Sequence, residues 1–314
     1  MGCGTWAWGN RLLWGYDPSM DRELQQVFND CVKAGVTFFD TGDSYGTGRL
    51  KGQSEKLLGQ FTAAYAGPNA DQICLATKLA AYPWRLGRGA MVKAGKASAE
   101  RMGRVNLAQM HWPTANYAPW QEGPLVDGLA DLYEQGLIRG VGLSNYGPKR
   151  LRWAHKRLSG RGVPIASLQV QYSLLSTYPV AELGLKAVCD ELGIQLIAYS
   201  PLGLGLLTGK YSTGGPFPKG LRGFLFRQLL SGIPILLDCL REIAKERDKT
   251  MAQVALNWCM GKGAMPIPGA KTAEQAQQNI GALGWQLSGA EIYELDQAAE
   301  KTDRKMVQNI FQTR

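Results

Sequence analysis

Gly2-Cys3-Gly4-Thr5-Trp6-Ala7, residues 2–7, is the stretch on which the fold turns. It opens like G-x-G-x-x-G, the phosphate-cradling turn of doubly wound dinucleotide folds. The third glycine is absent, and no acidic ribose partner stands about 20 residues on after a second strand. The glycines therefore do not mark a doubly wound fold. A short strand over Cys3–Trp6 is the better reading, and the rest of the chain decides its partners.

Seven further short apolar runs come after it: Thr37–Asp40, Gln72–Lys78, Leu107–Trp112, Ile138–Asn145, Ser167–Tyr172, Gln195–Pro201 and Met265–Gly269. None alternates strictly, as expected of parallel strands covered on both faces. Amphipathic segments lie between them: Asp21–Ala34, Ser54–Gln60, Gly89–Met102, Glu122–Gln135, Pro148–Ser159 and Ala181–Leu192. Gly35, Gly136, Gly160 and Gly193 are placed to end four of these helices. Strand and helix alternate about eight times without a linker, which predicts an α/β (β/α)8 TIM barrel with extra C-terminal helices, residues 1–314 forming one domain.

Composition excludes several classes. Apolar residues make up 45% and charged residues 19%, so the chain can bury a core. No apolar run approaches the roughly 20 residues that span a bilayer, so no membrane partner is expected. Thirty-five Lys and Arg against 26 Asp and Glu give +9, spread along the chain and suited to an anionic cofactor. The basic run Lys149–Arg157 keeps Leu151, Ala154 and Leu158 on one face, so its charges read as a solvated helix side, and no nucleic acid is expected. Six cysteines form no CxxC pair and there are two histidines, so no metal is expected and the thiols read as buried in a reducing compartment. No leader is visible ahead of Thr5-Trp6, and the start reads as cut off. A soluble protein of the cytoplasm or plastid stroma is expected, a monomer or weak oligomer.

In a barrel the chemistry sits at the C-terminal strand ends. Those ends supply Asp40 and Lys78, then His111, and the loop after Asp40 supplies Tyr45. A phenol titrates near 10 when free, and a neighbouring ammonium is expected to lower it. A carboxylate keeps that ammonium oriented, and a histidine can hold a carbonyl oxygen. Such a set can protonate an oxygen gaining negative charge, as a carbonyl does on receiving hydride.

Phe39-Asp40-Thr41-Gly42-Asp43-Ser44-Tyr45-Gly46, Thr77-Lys78 and His111 within Gln109-Met110-His111-Trp112 resemble the motifs of the aldo-keto reductase family, with Gly42 where Ala is usual. The resemblance covers nearly the whole chain. Judged from Gly4-Thr5-Trp6-Ala7-Trp8-Gly9 and Gln308-Asn309-Ile310-Phe311-Gln312, it is nearest to plant-plastid and cyanobacterial members of undefined substrate. It implies Tyr45 as general acid, Lys78 and Asp40 as its tuning pair, and His111 as the carbonyl-orienting group. It also implies a β-hairpin under the barrel, which this chain starts too late to contain, so an open floor is expected.

The resemblance further implies NADPH/NADP+ lying across the barrel rim, with hydride coming from its nicotinamide. Thr5, Trp6 and Asp40 would adjoin it. Ser144, Asn145 and Gln169 would meet the carboxamide, and Tyr199 would stack on the ring, with Ser200, Pro201, Leu202, Gly203 and Leu204 next along the rim. Lys210 and Arg222 would contact phosphate, while Gly269, Lys271, Gln275, Gln278 and Asn279 would hold the adenosine end. Lys271 at a helix start, with no acidic residue poised for the ribose hydroxyls, favours the 2′-phosphate. Trp6, Trp84 and Trp112 would line a pocket for a small carbonyl substrate, with Arg85 and Arg88 as candidates for an acidic substrate group. A nicotinamide-sensing regulatory subunit is the alternative. Family members acting as potassium-channel β subunits carry Asn where His111 stands, which favours the enzyme.

Overall fold

The computed structural model describes the chain except residues 213, 216, 219 and 220. Eight strands run β1 (Cys3–Gly4), β2 (Phe38–Gly42), β3 (Cys74–Leu79), β4 (Leu107–Met110), β5 (Gly140–Ser144), β6 (Ile165–Gln171), β7 (Gln195–Tyr199) and β8 (Met265–Pro266). All pair in parallel, in chain order. The Gly2 N–H donates to the Pro266 carbonyl at 2.9 Å and the Gly4 N–H to that of Pro268 at 3.0 Å, which joins the last strand to the first. The chain is thus a (β/α)8 barrel, with helices Ala273–Ile280 and Gly289–Glu300 after the last strand.

That closure explains the opening glycines. A Cβ at Gly4 would lie 2.8 Å from the Ile267 carbonyl oxygen, and one at Gly2 would lie 2.8 Å from that of Phe38. Both glycines serve close backbone approach between strands instead of cradling a phosphate. Outside the strands, helix Asp21–Lys33 buries Leu24, Val27, Phe28, Cys31 and Val32. Phe28 stacks on Phe39 of β2 with centroids 4.5 Å apart. Burying such a ring contributes roughly 1.5–3 kcal/mol and locks the helix to the strand that carries Asp40.

One helix expectation needs correction. Ala181–Leu192 is two helices, Tyr178–Ala181 and Leu185–Glu191, broken at Gly184 with φ 65°. Pro148–Ser159 ends at Gly160, as expected, and the left-handed glycine of the following turn is Gly162. On that basic helix Leu151, Ala154 and Leu158 are buried, while Arg150, Arg152 and Arg157 pair with Glu122, Glu191 and Asp127 of neighbouring helices.

The N-terminal strand ends border an open cavity of about 640 Å³ lined by residues including Phe38, Cys74, Arg104, Arg139, Ser167 and Met265. Cys74 is half-buried there, whereas the other five cysteines are buried. Among the described residues no single helix is long and apolar enough to cross a membrane.

Candidate active site

The register that pairs Gly42 with Lys78 and Lys78 with Gln109 brings β2, β3 and β4 side chains together at the C-terminal end of the barrel. The Lys78 ammonium donates to Asp40 Oδ2, both groups nearly free of solvent. The other carboxylate oxygen accepts from Gln109 Nε2 at 2.9 Å and from Gln169 Nε2 at 2.8 Å. Asp40 is therefore fully engaged, as a buried carboxylate must be. Gln169, expected at the carboxamide, has its Nε2 turned to Asp40, and only its Oε1 is left to a ligand. Thr5 is also buried, its hydroxyl donating to the Asp40 carbonyl at 3.0 Å, so it secures the backbone of β2.

A tight turn succeeds β2, with the Tyr45 N–H donating to the Gly42 carbonyl at 2.9 Å. It lays the Tyr45 ring over the strand ends, where Lys78 Nζ stands 5.0 Å from its centroid. His111, directly after β4, meets Tyr45 edge-on at 5.8 Å. Its Nδ1 lies 3.4 Å from Ser44 Oγ. A Ser44 hydroxyl donating there leaves the imidazole proton on Nε2, available to a ligand. The four residues expected to form the catalytic set thus converge.

Their protonation corrects one expectation. The Tyr45 phenol is pushed well above its ordinary value by burial first, then by the Asp40 and Asp43 carboxylates. Lys78 does not pull it down, because the ammonium is matched by Asp40 and a second carboxylate stands near. Burial also lowers Lys78, opposed by Asp40. His111 falls well below the usual imidazole range through burial and the nearby charges of Lys78 and Arg85. At neutral pH the site therefore holds a protonated phenol and a neutral imidazole.

One wall is aromatic. Trp112 stacks on Phe311 at 4.9 Å and donates from Nε1 to the Tyr117 hydroxyl at 2.8 Å. Tyr82 meets Trp112 edge-on at 5.9 Å and stacks on Trp84 at 4.7 Å. Trp84 is 72% exposed, so it stands on the outer lip, and Trp6 packs edge-on against Trp14 at 5.7 Å. Arg85 is committed to Asp43 at 2.7 Å and to the Ala80 carbonyl at 2.6 Å, and Arg88 pairs with Asp131.

On the opposite side Asn145, with φ 63°, donates to Ser144 Oγ and to the His111 carbonyl, each at 3.2 Å. Its Oδ1 accepts from the Tyr199 hydroxyl at 3.0 Å. Ser200 and Leu204 hold positive φ around buried Pro201 and Gly203, with Leu202 half-buried between them. Such strain persists only where surrounding contacts enforce it. Farther along the rim Trp14 gathers cations. The Arg222 guanidinium lies 4.7 Å from its ring centroid, and Lys271 Nζ donates to its carbonyl at 3.0 Å. The Lys271 ammonium is lowered by burial, then by the Arg222 and Lys210 charges. Arg222 Nε and Trp14 Nε1 are buried without a hydrogen-bond partner among the described residues.

Helix Ala273–Ile280 starts beside this cluster, capped by Thr272. Gln275 Oε1 accepts from the Lys271 N–H at 2.9 Å, and Asn279 Nδ2 donates to the Gly269 carbonyl at 3.3 Å. Gln278 is exposed and reaches Glu274 at 3.4 Å. The sequence alone did not single out Ser44, Gln109, Trp14, Tyr82, Asn309 or Phe311 for the site. Gln109 lies in β4 two residues before His111, which directly follows that strand, and that spacing was the one available signal.

The chain belongs to the aldo/keto reductase family, whose model matches residues 1–300. It is 55% identical over 318 residues to a chloroplastic pyridoxal reductase of Arabidopsis thaliana, covering 100% of this chain and 87% of that protein. An uncharacterised oxidoreductase of Mycobacterium tuberculosis is 36% identical, covering 95% of this chain and 88% of its own length. Among solved structures, a thermostable aldo-keto reductase in complex with the inhibitor epalrestat superposes with a TM-score of 0.74 at 27% identity, covering 95% of this chain and 94% of its own.

Proposed function

We propose that this chain, working as one barrel domain, reduces aldehydes and ketones to alcohols with NADPH, and that pyridoxal is a substrate. The observation that carries the reading is Tyr45. Its phenol is held protonated over the Lys78–Asp40 pair and faces neutral His111. Tyr45 donates the proton that the carbonyl oxygen needs, and His111 Nε2–H holds that oxygen in place.

The rim residues fit the cofactor. The cations Arg222 and Lys271 stand at Trp14, with the charge of Lys210 felt by Lys271 and buried N–H groups of Arg222 and Trp14 unmatched among the described residues, as suits a polyanion. Tyr199 offers a ring face, and Asn145 with Ser144 stands beside it for the carboxamide. Gly269, Gln275, Gln278 and Asn279 stand where the adenosine end would lie. Bound there, nicotinamide supplies the hydride.

Pyridoxal enters from the chloroplastic relative and suits the site on two grounds. The Trp112–Phe311 stack offers flat apolar surface for an aromatic aldehyde. Arg85 and Arg88 are already paired, so neither awaits an acidic substrate group. The same relative supports the plastid stroma as the working compartment.

Loss of NADPH absorbance with pyridoxal and a panel of other aldehydes tests the reading. Native protein should turn over, and Tyr45→Phe should lose about 10²–10⁴ in kcat while still binding NADPH. Equal, very slow rates for both proteins on every aldehyde would support a cofactor-sensing role instead.

A further inference from the structure

The C-terminal segment crosses the barrel mouth and touches both halves of the site. Phe311 stacks on Trp112. Two residues earlier, Asn309 Nδ2 donates to the Tyr199 hydroxyl at 2.9 Å. The orientation of that amide is fixed, because Asn309 Oδ1 accepts the Phe311 N–H at 2.9 Å. The Tyr199 hydroxyl uses its own proton on Asn145 Oδ1. Asn145 in turn donates to the His111 carbonyl, and its own carbonyl accepts the Thr313 N–H at 3.1 Å. The bonds run unbroken from Phe311 through Asn309, Tyr199 and Asn145 to the backbone of His111.

We infer that Asn309 is a positioning residue that fixes the Tyr199 ring and, through the Phe311 N–H, ties the aromatic substrate wall to it. The inference rests on the reading that Tyr199 carries the nicotinamide. A phenol ring hinges about its side-chain bonds, and a hydroxyl held from two directions stops that motion. Asn145 supplies one tether from the barrel and Asn309 the other from the tail. Without Asn309 the ring keeps one tether, and Phe311 loses the acceptor that sets its backbone opposite Trp112. Removing the tether should therefore weaken cofactor binding and substrate binding together. Removing the Phe311 ring should weaken substrate binding alone.

The experiment is a double-mutant cycle on NADPH affinity, read by quenching of tryptophan fluorescence, with kcat and KM for pyridoxal. Asn309→Leu should raise the NADPH Kd about fivefold, in line with loss of one hydrogen bond, and raise KM by a similar factor with kcat changed less. In a Tyr199→Phe background the same replacement should change the Kd less than twofold. Phe311→Ala should raise KM and leave the NADPH Kd alone. Asn309→Ala removes the same N–H with a smaller side chain, so it should copy Leu on the Kd. This second variant decides the matter if Leu disturbs folding. Equal effects in both Tyr199 backgrounds, or none in the native one, overturn the inference. An unchanged NADPH Kd in Tyr199→Ala would instead remove the reading beneath it.

Discussion

The Lys78 ammonium lies over the face of the Tyr45 ring, 5.0 Å from its centroid, while its hydrogen bond goes to Asp40. Lys78 therefore acts on the phenol as one half of a nearly neutral pair. The pair is buried and Asp40 is further held by two glutamines, so both partners stand in fixed places.

Breaking that pair should be costly. Removing one partner of a buried ion pair typically costs about 3–5 kcal/mol, because the other charge is stranded. Asp40→Asn should lower unfolding stability by an amount of this order, measured by urea denaturation. Asp40→Asn combined with Lys78→Met should regain much of it while remaining inactive. A loss in the double variant equal to the sum of the two single-variant losses would show that the pair is not coupled.

The pH dependence derives from the direction of each shift. His111 is held below its unfolded value of about 6.5, so as pH falls through that value the unfolded chain takes up a proton that the folded chain refuses. Its contribution to stability is present above the unfolded value and lost in acid. Melting temperature should fall from pH 7 to pH 5, and His111→Asn should flatten part of that slope. Tyr45, raised above 10, stays protonated, so kcat for reduction should show no loss of the acid between pH 6 and 9. A basic limb within that window would mean the phenol titrates there.

How much was legible in the sequence depends on what each residue answers to. The eight strands could be read because parallel strands covered on both faces need unbroken apolar runs, and these stand out between amphipathic helices. Asp40, Lys78 and His111 could be read because strand ends are fixed once strands are known. The direction of the Tyr45 shift could not, since it depends on burial and on how completely Asp40 matches Lys78. Nor could Asn309 and Phe311, which lie more than 100 residues along the chain from Tyr199 and Trp112 and meet them only because the tail folds back over the mouth. Gln169 was placed correctly on its strand, yet the partner of its Nε2 is set by which acceptor is buried nearest.

Gly42 offers a finer test of Tyr45. A Cβ at this position would lie 3.2 Å from Cδ1 and Cε1 of the Tyr45 ring, closer than ordinary contact. The ring would have to shift by a few tenths of an ångström. Since a displacement of about 1 Å can cost roughly 10² in rate, a several-fold loss of kcat is expected for Gly42→Ala. NADPH affinity should change less than kcat, because the added methyl group meets the Tyr45 ring. An unchanged kcat would mean that the Tyr45 loop relaxes freely.

Lys271 bears on the choice between NADPH and NADH. It stands at the start of helix Ala273–Ile280, its ammonium donating to the Trp14 carbonyl with Arg222 and Lys210 close enough to depress it. Three cations in one place repel one another until an anion arrives, so added negative charge should be favoured there. The acidic residue in the first turn of that helix, Glu274, is exposed and accepts from Gln278, which leaves the cation the dominant charge at the turn. A hydrogen bond to a charged group is worth about 1.5–3 kcal/mol, or roughly 10- to 100-fold. Lys271→Ala should weaken NADPH by about that factor and NADH far less, measured by titrating both cofactors. Should the ratio of the two affinities stay as it is in the native protein, Lys271 would not be the residue that reads the 2′-phosphate, and Arg222 would be the next to replace.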